Sequence, residues 1–138
     1  MSKDAYKVFV SHCTEDTWVA GQIATRIRAL GADAFLDDSS VPKGANFKEI
    51  IHREIASSNE LVALFTPWSA KRSWMWIEIG AAWGQGKAVV AVFYGMGVEQ
   101  LEDSGQGKAI LEDINVLQLN EFEKYLGELA NRIRSGCR

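Results

Sequence analysis

At 138 residues the chain has the length of one ordinary domain, and 47% hydrophobic residues are enough to enclose a core. A charged fraction of 24% excludes a disordered chain, and no stretch offers the roughly eighteen apolar residues of a membrane span. The net charge of −3, without a basic run, argues against a large nucleic-acid footprint.

The elements follow in chain order. Met1-Ser-Lys-Asp-Ala-Tyr-Lys7 carries charges where a secretion signal needs an apolar run, so a cytoplasmic, membrane-free protein is expected. Lys7-Val-Phe-Val-Ser11 is a short apolar run bounded by polar residues and predicts a buried strand. Thr14 or Asp16 caps the helix that follows, whose apolar positions Trp18, Val19, Ile23, Ile27 and Leu30 run to a stop at Gly31. A second strand, Ala32 to Leu36, leads into the polar loop Asp37-Asp-Ser-Ser-Val-Pro-Lys-Gly44. Phe47 to Ser57 predicts a helix with Phe47, Ile50, Ile51 and Ile55 inward, and Glu60 to Thr66 a parallel strand that Pro67 ends. A tryptophan-rich helix is expected from Lys71 to Gln85, with Trp76 and Trp83 in the core, and a fourth strand from Ala88 to Tyr94. Val98 to Asp103 and Gly107 to Leu111 each suit a helical turn or two. Ile114 to Leu119 predicts a short fifth strand, and Asn120 caps a last helix to about Arg134. Five strands alternating with helices imply a single α/β domain over residues 1–138. Its expected form is a flavodoxin-like three-layer sandwich, a five-stranded parallel sheet with helices on both faces and its working edge at the carboxyl ends of the strands.

Several chemistries common on such sheets lack their residues. Ser11-His-Cys-Thr-Glu-Asp16 follows the first strand where a dinucleotide fold places Gly-x-Gly-x-x-Gly, and no Walker phosphate loop is present. Phe65-Thr66-Pro67 stands where a phosphate-accepting receiver keeps an aspartate. There is no Gly-x-Ser-x-Gly elbow. Cys13 has no evident histidine base, because His12 is its immediate neighbour and adjacent strand-end residues point opposite ways. His52 sits in a helix beside Arg53 and Glu54 and is expected on its surface, so no metal site is expected. Cys13 and Cys137 lie at opposite ends and suit free thiols of a reducing compartment.

The remaining signal is the segment Ser73 to Gly86, whose only ionisable side chain is Glu78. A carboxylate in so apolar a stretch is expensive to bury and therefore a candidate for chemistry. Trp74 precedes it by four residues, so on a helix the indole and the carboxylate share one face. An aromatic plate beside a lone acid suits a cationic ring.

These motifs together resemble one family, the TIR (Toll/interleukin-1 receptor) domains, and within it the bacterial kind. Val8-Phe-Val-Ser-His12 with Glu15-Asp16 resembles the first family box. Phe35-Leu-Asp37 through Pro42-Lys-Gly44 is similar to the BB loop, and Leu64-Phe-Thr-Pro-Trp-Ser69 with Trp74-x-x-x-Glu78 to the catalytic segment. The Phe-Trp pair that closes many receptor members is missing, which favours an enzymatic or prokaryotic branch. The resemblance implies an NAD+ glycohydrolase or ADP-ribosyl cyclase, a hydrolase of antiviral defence such as the Thoeris antiphage type, that takes NAD as substrate and needs no cofactor. It puts the catalytic glutamate on Glu78 and the helix tryptophan on Trp74. Ser11 and His12 at the first strand's end are then expected to reach a phosphate or ribose, Phe47 to offer a second stacking ring, and Asp37 and Lys43 to contribute loop charges. Pro42 and Gly44 belong to a loop through which two TIR domains associate, and a cyclic product implies a downstream effector that senses it. Two other classes fit the same sequence: a non-enzymatic TIR adaptor or virulence mimic, and a nucleoside deoxyribosyltransferase-like enzyme with a working glutamate.

Overall fold

The computed structural model describes residues 5–36, 47–69, 73–102 and 112–136. Five strands, β1 (Lys7–Ser11), β2 (Asp33–Leu36), β3 (Glu60–Phe65), β4 (Ala88–Phe93) and β5 (Asn115–Gln118), form one sheet in the order β2-β1-β3-β4-β5. Every adjacent pair is parallel. The helices are α1 (Thr17–Ala29), α2 (Phe47–Ser57), α3 (Ser73–Gly84), α4 (Val98–Glu102) and α5 (Phe122–Gly136). The expected three-layer fold and its five strands are borne out, with boundaries within a residue or two. The helical turn expected over Gly107 to Leu111 lies outside the described residues.

The period of two along each strand divides the core. Val8, Val10, Val62, Leu64, Val90 and Val92 point to the side that α1 and α5 cover with Ile23, Ile27, Tyr125 and Leu129. Phe9, Leu61, Ala63, Phe65, Val89, Ala91 and Phe93 point to the other side, where α2 and α3 supply Ile51, Ile55, Met75 and Ile79. All six residues of β3 are buried, as a strand covered on both faces requires.

Two glycines set backbone turns. Gly86, at φ 76°, follows α3 as its left-handed stop; its N–H donates to the Trp83 carbonyl while the Lys87 N–H reaches back to Ala82 at 3.0 Å. Gly95, at φ 78°, follows β4, where an added Cβ would lie 3.4 Å from Pro67 Cδ.

Some positions differ from the sequence reading. Trp18 is 74% exposed, because the inward stripe of α1 is Ala20, Ile23, Ala24 and Ile27 and Trp18 lies some 200° round the helix from Ala20. Trp83 is 43% exposed beside the amino ends of β4 and β5, where its Nε1 donates to Asp113 Oδ2 at 2.8 Å. Trp76 is half-buried and packs on the core, with its ring 5.3 Å from that of Phe65. Asn120 lies inside a 3-10 turn, Leu119–Glu121, rather than capping α5. Asp16 occupies the N-cap of α1, but its side chain makes no capping bond because its carboxylate is engaged elsewhere.

The amino edge of the sheet holds a polar cluster that the sequence reading missed. Glu60, fully buried at the start of β3, accepts hydrogen bonds from Tyr6 Oη at 2.6 Å, Tyr125 Oη at 2.5 Å, and Arg132 Nε and Nη2 at 2.8 and 3.0 Å. Burial first, then Glu60, pushes the Tyr6 phenol from 10.0 up to about 12, and the same two causes raise that of Tyr125 further. The folded protein therefore keeps phenolic protons that the unfolded chain releases, so the stabilisation is complete below pH 10 and is lost as pH rises through the folded values. The urea midpoint is expected to fall between pH 10 and 12, and Tyr6→Phe to flatten part of that fall. At neutral pH the same substitution should cost about 1 kcal/mol, the scale of one hydrogen bond.

Candidate active site

The direction of strand order reverses between β1 and β3. The chain passes from β1 to β2 on one side and then to β3 and β4 on the other, so the carboxyl ends of the central pair form the switch point at which open α/β sheets place their ligand crevice. Ser11 ends β1 in register with Ala63 of β3, and shares the side-chain face of Phe9, toward α2 and α3. There its Oγ donates to Glu78 Oε1 at 2.6 Å, and both residues are fully buried. Glu78 lies one turn beyond Trp74 on α3, as the spacing predicts, and Trp74 is half-buried against the same core cluster. The sheet edge thus brings Ser11 to the Glu78 carboxylate, one helical turn beyond Trp74.

The chain beyond β1 is pinned by a second buried acid. Asp16 accepts from Thr66 Oγ1 at 2.6 Å and from Cys13 Sγ at 3.0 Å. Thr66 begins the turn between β3 and α3: its N–H donates to Ser69 Oγ at 2.8 Å, and that hydroxyl donates to the Leu64 carbonyl at 3.1 Å. The ends of β1 and β3 are therefore tied together across the switch point. The sequence carried a signal for this tie in a serine three residues after Thr66, an arrangement that favours a side-chain-stabilised turn. His12 is buried, 5% exposed, in the same neighbourhood. Phe47 begins α2, but its side chain lies outside the described residues, as do Asp37, Pro42, Lys43 and Gly44. Among the described residues no three His, Cys, Asp or Glu side chains gather as a metal site would require.

Burial, then the Asp16 carboxylate, pushes the Cys13 thiol from 9.0 up to about 12. It is a hydrogen-bond donor and no nucleophile. In a Cys137→Ser background Cys13 should react with iodoacetamide at pH 8 at least about 100-fold more slowly than after unfolding in urea, since so high a value leaves little thiolate. Mass spectrometry of timed aliquots measures the ratio.

A profile of the TIR domain matches residues 8–130. No curated protein matches the chain. Among solved structures, the TIR domain of the Toll-related receptor TRR-2 from Hydra magnipapillata superposes with a TM-score of 0.70 at 18% identity, covering 94% of this chain and 99% of that one. The TIR domains of the activated Roq1 resistosome, which directly recognises the pathogen effector XopQ, give 0.56 at 19% identity over 92% of this chain and 84% of that one. A diflavin flavoprotein A3 from Nostoc sp. gives 0.54 at 12% identity over 95% and 92%, a likeness of fold. Among the described residues no helix is long and apolar enough to cross a membrane. With a profile match that spans nearly all of its length, and with the five-stranded parallel sheet described above, the chain belongs to the TIR domain family.

Proposed function

We propose that this TIR domain cleaves the nicotinamide–ribose bond of NAD, with Glu78 as the group that stabilises the reacting ribosyl centre. The observation that carries the reading is a fully buried carboxylate at the switch-point edge, hydrogen-bonded to Ser11 and one helical turn from Trp74. The bond that breaks joins C1′ to a pyridinium nitrogen. Its electron pair leaves with nicotinamide, which departs neutral and needs no general acid. Positive charge develops on the ribose ring, and a carboxylate in a poorly hydrated site stabilises it directly and through hydrogen bonds accepted from the ribose hydroxyls. Water then adds to C1′ and loses a proton to give ADP-ribose, or a ring nitrogen of the adenine adds to give a cyclic ADP-ribose. One carboxylate is sufficient for either course. Trp74 supports the reading as a stacking surface for the charged ring, worth about 0.5 to 2 kcal/mol as a cation–π contact.

Glu78 has no accessible surface, so substrate entry requires local opening of the crevice. Contact with a second TIR domain through the loop containing Pro42 and Gly44 is the proposed trigger, and a cyclic product read by a separate effector in bacterial antiphage defence is the proposed setting.

Glu78→Gln keeps the volume of the side chain and should lose at least about 100-fold in nicotinamide release while its urea midpoint stays close to that of the wild type. A folded Gln variant with undiminished turnover would overturn the mechanism. Trp74→Ala should raise KM for NAD, with a smaller fall in kcat, measured by the initial rate of nicotinamide release. Specific activity should rise as enzyme concentration is increased from nanomolar to high micromolar; a constant value would assign the reaction to the monomer.

A further inference from the structure

Ser11 is located by constraints that do not involve Glu78. It is the last residue of β1, paired in register with Ala63, and the chain two residues beyond it is anchored through Cys13 to Asp16 and Thr66. Its hydroxyl is therefore carried by one of the most firmly held points of the sheet. Glu78, by contrast, reaches its position through three side-chain torsions, the last of which has a broad, two-fold profile. A carboxylate on such a stem takes a defined orientation only where donors fix it. The Ser11 Oγ to Glu78 Oε1 distance of 2.6 Å is that of a hydroxyl bound to a carboxylate, and neither residue has accessible surface.

We infer that Ser11 is a positioning residue for Glu78: its hydroxyl holds Oε1 and so fixes the direction in which the carboxylate meets the ribosyl centre, and it does not itself touch NAD. This inference rests on the reading of Glu78 given above. It departs from the sequence expectation that Ser11 reaches a phosphate or ribose, because the single O–H of the hydroxyl is already donated to the carboxylate. The two roles differ in kinetics. Loss of a substrate contact that acts equally before and at the transition state raises KM, whereas a misaligned stabiliser lowers kcat and leaves KM in place.

The test compares Ser11→Ala and Ser11→Cys with the wild type in nicotinamide release. Ser11→Ala should lose about 10- to 100-fold in kcat with KM within about twofold. Ser11→Cys, close in size and a weaker donor, should fall between the two and keeps the test open if the alanine variant folds poorly. A urea double-mutant cycle of Ser11→Ala with Glu78→Leu reads the contact without reference to activity. The folding equilibrium constant should drop about 5- to 10-fold more for Ser11→Ala in the wild-type background than in the Glu78→Leu background. Raised KM with kcat retained, unchanged kinetics, or additive stabilities would each overturn the inference. Coupling in the cycle together with a wild type that releases no nicotinamide would overturn both the proposed reaction and the positioning role, leaving a purely structural hydrogen bond. Coupling with an active wild type whose Ser11→Ala variant keeps full kcat would overturn the positioning role alone.

Discussion

A central strand with no face toward water governs this molecule. β3 is buried along its whole length, and every side chain between Glu60 and Phe65 is apolar. Polar chemistry is thereby driven to the strand's two ends, where the covering helices stop short and side chains can converge from neighbouring elements. At the amino end stands the cluster around Glu60; at the carboxyl end stand Thr66, Asp16, Ser11 and Glu78. The layered fold thus makes two polar centres, and they differ in kind.

Glu60 is surrounded as a structural charge must be. A guanidinium and two phenols converge on it, and Arg132 in turn is held protonated by that hydrogen-bonded pairing. The partners come from the segment before β1 and from α5, so the contact fastens both ends of the described chain to the middle of the sheet. Glu78 stands at the switch-point edge of the sheet. The Ser11 hydroxyl that meets Glu78 is a neutral donor, whereas Glu60 is met by a guanidinium as well as by hydroxyls.

Much of this was legible in the sequence because burial on both faces imposes a simple pattern. The apolar runs of β1, β3 and β4 and the amphipathic stretch of α2 mark themselves, and α2 begins and ends at the residues expected. Glu78 could be singled out because no other ionisable residue lies near it in sequence. Glu60 stands at the head of an equally apolar run, yet next to Asn59 it reads as the polar boundary of a strand; only the fold brings Tyr6, Tyr125 and Arg132 to it from 54 to 72 positions away. Asp16 takes the N-cap position that the sequence suggested, but its side chain does not do the capping, for a related reason. A helix N-cap is inferred from local sequence, and here a partner 50 residues distant, Thr66, takes the carboxylate. Trp18 and Trp83 follow the same lesson in reverse: their hydrophobicity suggested burial, but helical phase turned one outward and the sheet's edge left the other overhanging.

The outward turn of Trp18 bears on how this protein is to be observed. Its indole lines a groove of about 390 Å³ between α1 and α5, together with Gln22, Arg26, Tyr94 and Phe122. That groove lies on the α1 and α5 side of the sheet, with a layer of strands between it and α3. Intrinsic fluorescence is consequently a mixed signal: the water-exposed indole of Trp18 on one side of the molecule emits alongside the exposed Trp68 and Trp83 and the half-buried Trp74 and Trp76. A titration followed at the red edge of the emission band reports preferentially on solvent-exposed rings such as Trp18, so a quenching curve recorded there can saturate without any molecule having come near the glutamate of α3. Replacing Trp18 with phenylalanine would remove that contribution at a surface position and move the optical readout toward the side of the sheet that carries Glu78.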